Sequence, residues 1–246
     1  MAMFSLPAGH SCPFAKECLS RADKVTGKII DGQHCRFRCF AAMDERYPSC
    51  RVSRWGNFEL LRKMATVEKL AELINNSLPS SPLVRIHPSG DFFNERYFLA
   101  WLNVAYNNQL TTFYAYTKAL PFWIKYKQWV PNNFKLVASY GGTHDNLISE
   151  YHLRSARVVF SEQEAADLGL ALDHTDSLAY MGKESFGLLL HGQQPAGTPA
   201  ASAWYKIFKA GGGYSLKKKN QLPQRKTKIH ITLKQGEIYL PELIAA

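Results

Sequence analysis

The spacing of hydrophobic positions changes along the chain. From Asn57 to Leu78, Phe58, Leu61, Met64, Val67, Leu70 and Leu73 recur at steps of three. That spacing puts apolar groups on one helical face and predicts an amphipathic helix. Pro79-Ser80-Ser81-Pro82 ends it, since proline cannot continue a helix. Short β-rich runs then alternate with helical stretches. Leu83–His87 precedes a helix from about Asn94 to Tyr106, and Thr112–Tyr116 precedes a helical or turn segment around Phe122–Trp129. Phe134–Ser139 ends in Tyr140-Gly141-Gly142. Ala156–Phe160 precedes a helix over Glu162–Leu172, and Phe186–His191 precedes one near Ala200–Ala210. This alternation predicts an α/β fold with a mostly parallel sheet, either open or a partial barrel. At the end, Lys228–Leu233 alternates, turns at Gln235-Gly236 and resumes over Glu237–Leu240, the pattern of a C-terminal hairpin.

Residues 1–54 show little periodicity and hold all five cysteines, Cys12, Cys18, Cys35, Cys39 and Cys50. The chain therefore divides into a cysteine-rich segment (1–54), an α/β domain (55–214) and a basic tail with the hairpin (215–246). An odd, clustered set of cysteines argues for a metal site over a disulfide framework. Ligands close in sequence also reduce the entropy of assembling such a site. The spacing is Cys12-x5-Cys18 and Cys35-x3-Cys39. Structural zinc sites use pairs about two to four residues apart. The wider first pair tilts the reading toward an iron–sulfur cluster, with zinc as the alternative. Cys50 stands apart and reads as a free thiol.

Composition adds three points. Hydrophobic residues make up 46% of the chain, enough for a full core. No apolar run reaches the roughly 18–20 residues a membrane span needs, and the N-terminus does not read as a secretory signal, so a cytosolic, non-membrane protein is expected. The net charge is +10, with seven basic residues and no acid between 215 and 234. That tail is either a solvated edge or a phosphate-binding segment. With Trp204, Tyr205 and Tyr214 it motivates an alternative reading as a metal-stabilised nucleic-acid-binding protein.

In parallel α/β folds ligands sit at the carboxyl ends of the strands. Those ends carry His87, Ser89, Asp91, Tyr116, Lys118, Ser139, Tyr140 and His191, the candidate ligand-site residues. Each has a plainer reading. Ser89 and Asp91 suit a turn or helix cap, Tyr116 and Tyr140 suit edge packing, and His191 suits a satisfied core position. Ser161 with Glu164 reads as a capping box.

Phe4-Ser5-Leu6-Pro7-Ala8-Gly9-His10-Ser11-Cys12-Pro13 with Cys18, then Arg38-Cys39-Phe40-Ala41, resembles the phage "gene product 88" family, including cyanophage versions. Arg85–Phe92, Phe113–Lys118, Ala138–Gly142, Val159–Ser161 and Leu190–Gly192 continue the likeness over roughly 4–215. The resemblance implies a phage protein in the cytoplasm of an infected bacterium. It maps the family's cysteines onto Cys12, Cys18 and Cys39, with Cys35 the candidate fourth ligand by its proximity. The layout is also similar to radical S-adenosylmethionine enzymes, although their Cys-x3-Cys-x2-Cys loop is absent. The expectation is an iron–sulfur protein, [4Fe–4S] in type, with no reaction specified. Three ligands would leave one iron open to substrate or S-adenosylmethionine. A host protein is the remaining candidate partner.

Overall fold

The fold was obtained as a computed structural model, which describes residues 1–211 and 226–231. The chain runs β1 (Ala2–Phe4), β2 (Ser20–Ala22), β3 (Ile29–Asp31), α1 (Phe40–Asp44), α2 (Pro48–Arg62), α3 (Val67–Ser77), β4 (Leu83–Ile86) and α4 (Glu95–Asn107). It continues with β5 (Thr112–Thr117), α5 (Leu120–Lys125), β6 (Phe134–Ser139), α6 (Asn146–Glu150), β7 (Ser155–Val159) and α7 (Glu162–Asp167). Then come β8 (Ala171–Leu172), α8 (Ser177–Met181), β9 (Phe186–Leu189), α9 (Pro199–Lys209) and β10 (Thr227–Lys228).

Eight strands form one sheet in the order β10-β1-β4-β5-β6-β7-β9-β8, and every pairing in it is parallel. From β1 to β7 each new strand adds on the same side. This serial order belongs to barrel-like sheets, whereas doubly wound sheets reverse direction. Right-handed crossovers then put the connecting helices on one face. Val84, Ile86, Phe113, Ala115, Leu136 and Ala138 point to that face and pack against Leu70, Phe98, Trp101, Trp123 and Ile148 of α3, α4, α5 and α6. Val159 and Leu189 meet Ala165 of α7 with Ala200 and Ile207 of α9. The opposite face presents Tyr114, Val137, Ala156 and Phe186, covered by Ala179 of α8. β2 and β3 form a separate antiparallel pair.

The five expected strands are present, and the structure adds β1, β8 and the β2–β3 pair, while β10 overlaps the start of the expected hairpin at Lys228 and pairs in parallel with β1. β1 builds the cysteine-rich segment directly into the main sheet. The single helix expected over 57–78 is instead two. α2 begins at Pro48 and closes at Lys63, and Thr66 starts α3 afresh, its hydroxyl accepting from Lys69 N at 3.3 Å. The steps of three cross this break because Met64 and Val67 pack on the same core as Phe58 and Leu70. Apolar spacing reports a shared buried face, which two helices can share. The second hairpin arm, Glu237–Leu240, and Tyr214 lie outside the described residues. Among the described residues, no helix is long and apolar enough to cross a membrane.

Candidate functional site

The cysteine-bearing loops are docked on the carboxyl ends of the strands. Beyond β1, Leu6 N donates to Ser89 O at 2.9 Å, and the buried Ser11 hydroxyl donates to Pro7 O at 2.7 Å. Gly90 adopts φ +90°, and a Cβ there would stand 2.5 Å from Ser11 Oγ and 2.7 Å from Leu6 Cβ. The Cys12 loop can approach the end of β4 only over a glycine. Farther along, the N–H groups of Lys16 and Glu17 donate to Gly141 O at 3.0 and 2.9 Å, and Thr143 N donates to Phe14 O at 2.9 Å. These bonds fix the approach to Cys18 over the end of β6. Arg38 N donates to Gln194 Oε1 at 2.7 Å, and Phe40 stacks on His191 with ring centroids 3.5 Å apart. Cys39, between them in sequence, is thereby tied to the segment after β9.

Gly90→Ala is expected to cost at least about 1–3 kcal/mol from the backbone conformation alone, plus the overlap with Ser11 and Leu6. Gly197→Ala is the control, because Gly197 also has positive φ (+78°) but nothing lies within 4 Å of its added methyl. Urea unfolding of both variants checks this, and equal losses would remove the close-approach argument.

A buried ionic network anchors the same loops from behind. Glu45 has no exposed surface. Its Oε1 accepts from Ala8 N at 2.7 Å and from Arg54 Nη1 at 3.0 Å. Arg54 Nη1 also donates to Ala41 O at 2.6 Å. Arg51 donates to the carbonyls of Glu45, Lys24 and Val25 at 2.6, 2.9 and 3.0 Å. α2 thus grips both the loop before Cys12 and the helix after Cys39. At the surface, Arg38 forms a forked pair with Asp31 of β3.

Within this frame, Cys12, Cys18, Cys39 and Asp91 all act electrostatically on the buried Lys118 at the end of β5. Burial works against the Lys118 ammonium, and the four acidic groups outweigh it, holding the lysine above its ordinary range. Lys118 Nζ donates to Ser139 Oγ at 2.6 Å. Asp91 accepts from Thr117 Oγ1 at 2.7 Å and from the N–H groups of Lys118 and Phe92 at 2.8 Å each. Burial raises its carboxyl despite these donors. Burial also pushes the Cys12 thiol well above its usual value, with Asp91 and Cys39 adding. It pushes the Cys39 thiol up to about 12, Cys18 adding, while the N–H groups of Ala42 and Ala41 and the Lys118 ammonium pull the other way.

Of the residues anticipated at the strand ends, Asp91, Lys118 and Ser139 therefore join Cys12, Cys18 and Cys39. Ser89 is buried beside this group, its hydroxyl without a partner among the described residues. Tyr140 lies at the margin under the Arg157 guanidinium, 4.5 Å from its ring centre, and His191 stacks on Phe40. His87 and Tyr116 do not join. His87 has φ +58°, which turns it into the helix-side core among Phe4, Phe92 and Tyr97. Tyr116 lies on the α8 side, donating to Asp176 Oδ1 at 3.2 Å. Ser161 is a helix cap, accepting from Glu164 N at 3.0 Å, while Glu164 Oε2 accepts from Phe160 N at 2.6 Å.

Cys35 is held separately. Its sulfur donates to Phe37 O at 3.0 Å and lies 3.4 Å from Ser20 Oγ. Burial raises its thiol, and among the thiols only Cys18 figures in that shift. Cys50 is on α2 with a free thiol. Among the described residues, no three or more His, Cys, Asp or Glu side chains are grouped so as to hold a metal ion. The parts that sequence reasoning missed are Glu45, Arg51, Arg54 and Gln194. One signal was available: Pro48 opening a helix with arginines three apart, just after the charged run Asp44-Glu45-Arg46.

The family model described as Gene product 88 matches residues 1–208. No curated protein and no solved structure matches the chain. The matched span runs from β1 through the cysteine loops and the sheet ends to α9, and the chain belongs to the phage Gene product 88 family.

Proposed function

We propose that this protein binds an iron–sulfur cluster, of the [4Fe–4S] type, through Cys12, Cys18 and Cys39 at the carboxyl rim of its sheet. The observation that carries this reading is the docking of the Cys12, Cys18 and Cys39 loops on the carboxyl ends of the strands, where Lys118 is buried. Thiolates are soft ligands suited to iron–sulfur clusters and zinc. Cys12 and Cys39 each have other thiols of the set among the groups that raise them, so the three lie within one electrostatic neighbourhood. Soft-metal binding requires loss of the thiol protons, and Lys118 stands where it would offset the resulting negative charge. The forked Arg38–Asp31 pair and the Glu45–Arg54 pair would hold the loops in place for that exchange.

A bound cluster would supply electron transfer or, at an iron without a protein ligand, a Lewis-acidic position. Cys35, engaged by Ser20 and Phe37, is the fourth thiol and lies outside the Lys118 set, which favours the open arrangement. The serial parallel sheet with cysteines over its carboxyl rim also supports kinship in layout with radical S-adenosylmethionine enzymes, and so S-adenosylmethionine as a candidate ligand there. The setting is the cytoplasm of an infected bacterium, where reducing conditions keep thiols available.

Anaerobic purification and reconstitution, followed by iron and sulfide analysis and a visible spectrum, test this. Wild type is expected to be brown and to hold iron with sulfide. Cys12→Ser, Cys18→Ser and Cys39→Ser are expected to lose most of both, while Cys35→Ser and Cys50→Ser keep them. A colourless protein holding only zinc after reconstitution would overturn the proposal.

A further inference from the structure

α9 carries an aromatic ledge that the cluster reading does not use. Its inner face is buried through Ala200 and Ile207, and Trp204 packs against the same small core. With that flank committed, Tyr205 and Phe208 project outward at 57% and 55% exposure. Trp204 and Phe208, one turn apart, have ring centroids 5.8 Å apart. Lys209 Nζ lies 4.8 Å from the centre of the Tyr205 ring, and Lys206 is exposed between them. No acidic residue occurs between 199 and 211, and the chain as a whole carries +10. Cys18 and Phe40 pack on the same core as Trp204, so the ledge lies beside the cysteine rim.

Two large rings exposed on one helix face leave apolar surface available to a partner. Lysines interleaved with rings suit a partner that offers flat apolar faces and negative charge in alternation. Nucleobases joined by phosphates have that character, because any base can stack on a ring while a cation meets the backbone. A membrane-surface helix would need its apolar stripe free to enter lipid, and here that stripe is already buried. We infer that the outer face of α9 is a single-stranded nucleic-acid binding surface, with Tyr205 and Phe208 stacking bases and Lys206 and Lys209 meeting phosphates. The surface does not depend on a bound cluster.

The test uses the full chain and a fluorescein-labelled oligodeoxythymidylate, followed by anisotropy at several salt concentrations. Wild type is expected to bind, more weakly as salt rises. Tyr205→Ala with Phe208→Ala should weaken binding about tenfold or more at fixed salt. Both side chains are more than half exposed, so the double variant should fold, and circular dichroism with a thermal midpoint checks that it does. Lys206→Gln with Lys209→Gln should flatten the salt dependence, by about 0.7 in log–log slope for each phosphate no longer neutralised. Protein prepared without iron and sulfide reconstitution should bind as the reconstituted protein does, which separates this surface from the cluster proposal. Absence of binding at low salt would overturn the inference. So would unchanged binding by the ring variant, with all affinity removed by neutralising Lys217, Lys218 and Lys219. Ring-dependent binding to anionic lipid vesicles without oligonucleotide binding would overturn it in favour of a membrane surface.

Discussion

Folding stability is expected to fall by about 4–5 kcal/mol through one side chain, His87, as pH drops from 6.5 to about 3. Burial alone pushes its imidazole down to about 3 from an ordinary 6.5. Nε2 is 2.9 Å from the Tyr97 hydroxyl, and Nδ1 has no partner among the described residues, so nothing there stabilises a second proton. The sign follows directly. The unfolded histidine takes up a proton before the folded one does, so the unfolded state gains as pH falls. The contribution is complete above pH 6.5 and is lost as pH falls through the folded value. Asn is the informative replacement, because it tolerates the left-handed backbone at this position. His87→Asn should be less stable at neutral pH, having left part of the ring's space empty, yet show a flatter decline into acid. Urea midpoints from pH 7 to 3.5 measure both slopes. Parallel slopes would mean that His87 does not titrate on unfolding.

Arg54→Met should cost about 3–5 kcal/mol at neutral pH, since it strands Glu45 as a buried carboxyl without its countercharge. Burial already raises the Glu45 carboxyl even with Arg54 present, and without the arginine it should rise further. A carboxyl raised on folding adds stability at low pH and loses it as pH increases. The deficit of the variant should therefore narrow as pH falls toward the unfolded glutamate value of about 4.3. Arg54→Met with Glu45→Gln should recover part of the loss, by removing the stranded charge. Because Glu45 also holds Ala8 N and Arg54 holds Ala41 O, iron retention should fall in the single variant before global unfolding. A loss below about 1 kcal/mol, the scale of an exposed pair, would show that this network does not anchor the fold.

The strand–helix alternation from Leu83 to Leu190 was legible because each strand is an apolar run bounded by glycine, proline or polar turns. β1 was not, since Ala2-Met3-Phe4 is three residues long and its role comes entirely from pairing with β4 and β10. The first half of α2 was hidden for a different reason. Arg51 and Arg54 resemble solvent-facing residues, yet both are buried and satisfied by backbone carbonyls of α1 and its C-terminal end. At the rim, position after a strand located Asp91, Lys118 and Ser139. It failed for His87, where one left-handed residue reverses the side chain's direction, and for Tyr116, which the two-residue period sends toward α8. Separation of Cys35 from the other thiols depends on Ser20 and the Phe37 carbonyl, partners that cysteine spacing alone does not encode.

The placement of β1 bears on the order in which the molecule can assemble. Ala2 pairs with both Val84 and Thr227, so the strand that precedes the cysteine loops has no partner until much of the chain has been made. Cys12 and Cys18 leave the ribosome on a tether without a sheet to hold it, long before Asp91 and Lys118 follow. Such distant pairings form late and slowly. During that interval the thiols have neither their buried surroundings nor their lysine, and they are open to oxidants. Metal loading on the nascent chain would have to proceed without half of the site. The cysteine rim is therefore a late-maturing part of the molecule, complete only once β1 has joined the sheet.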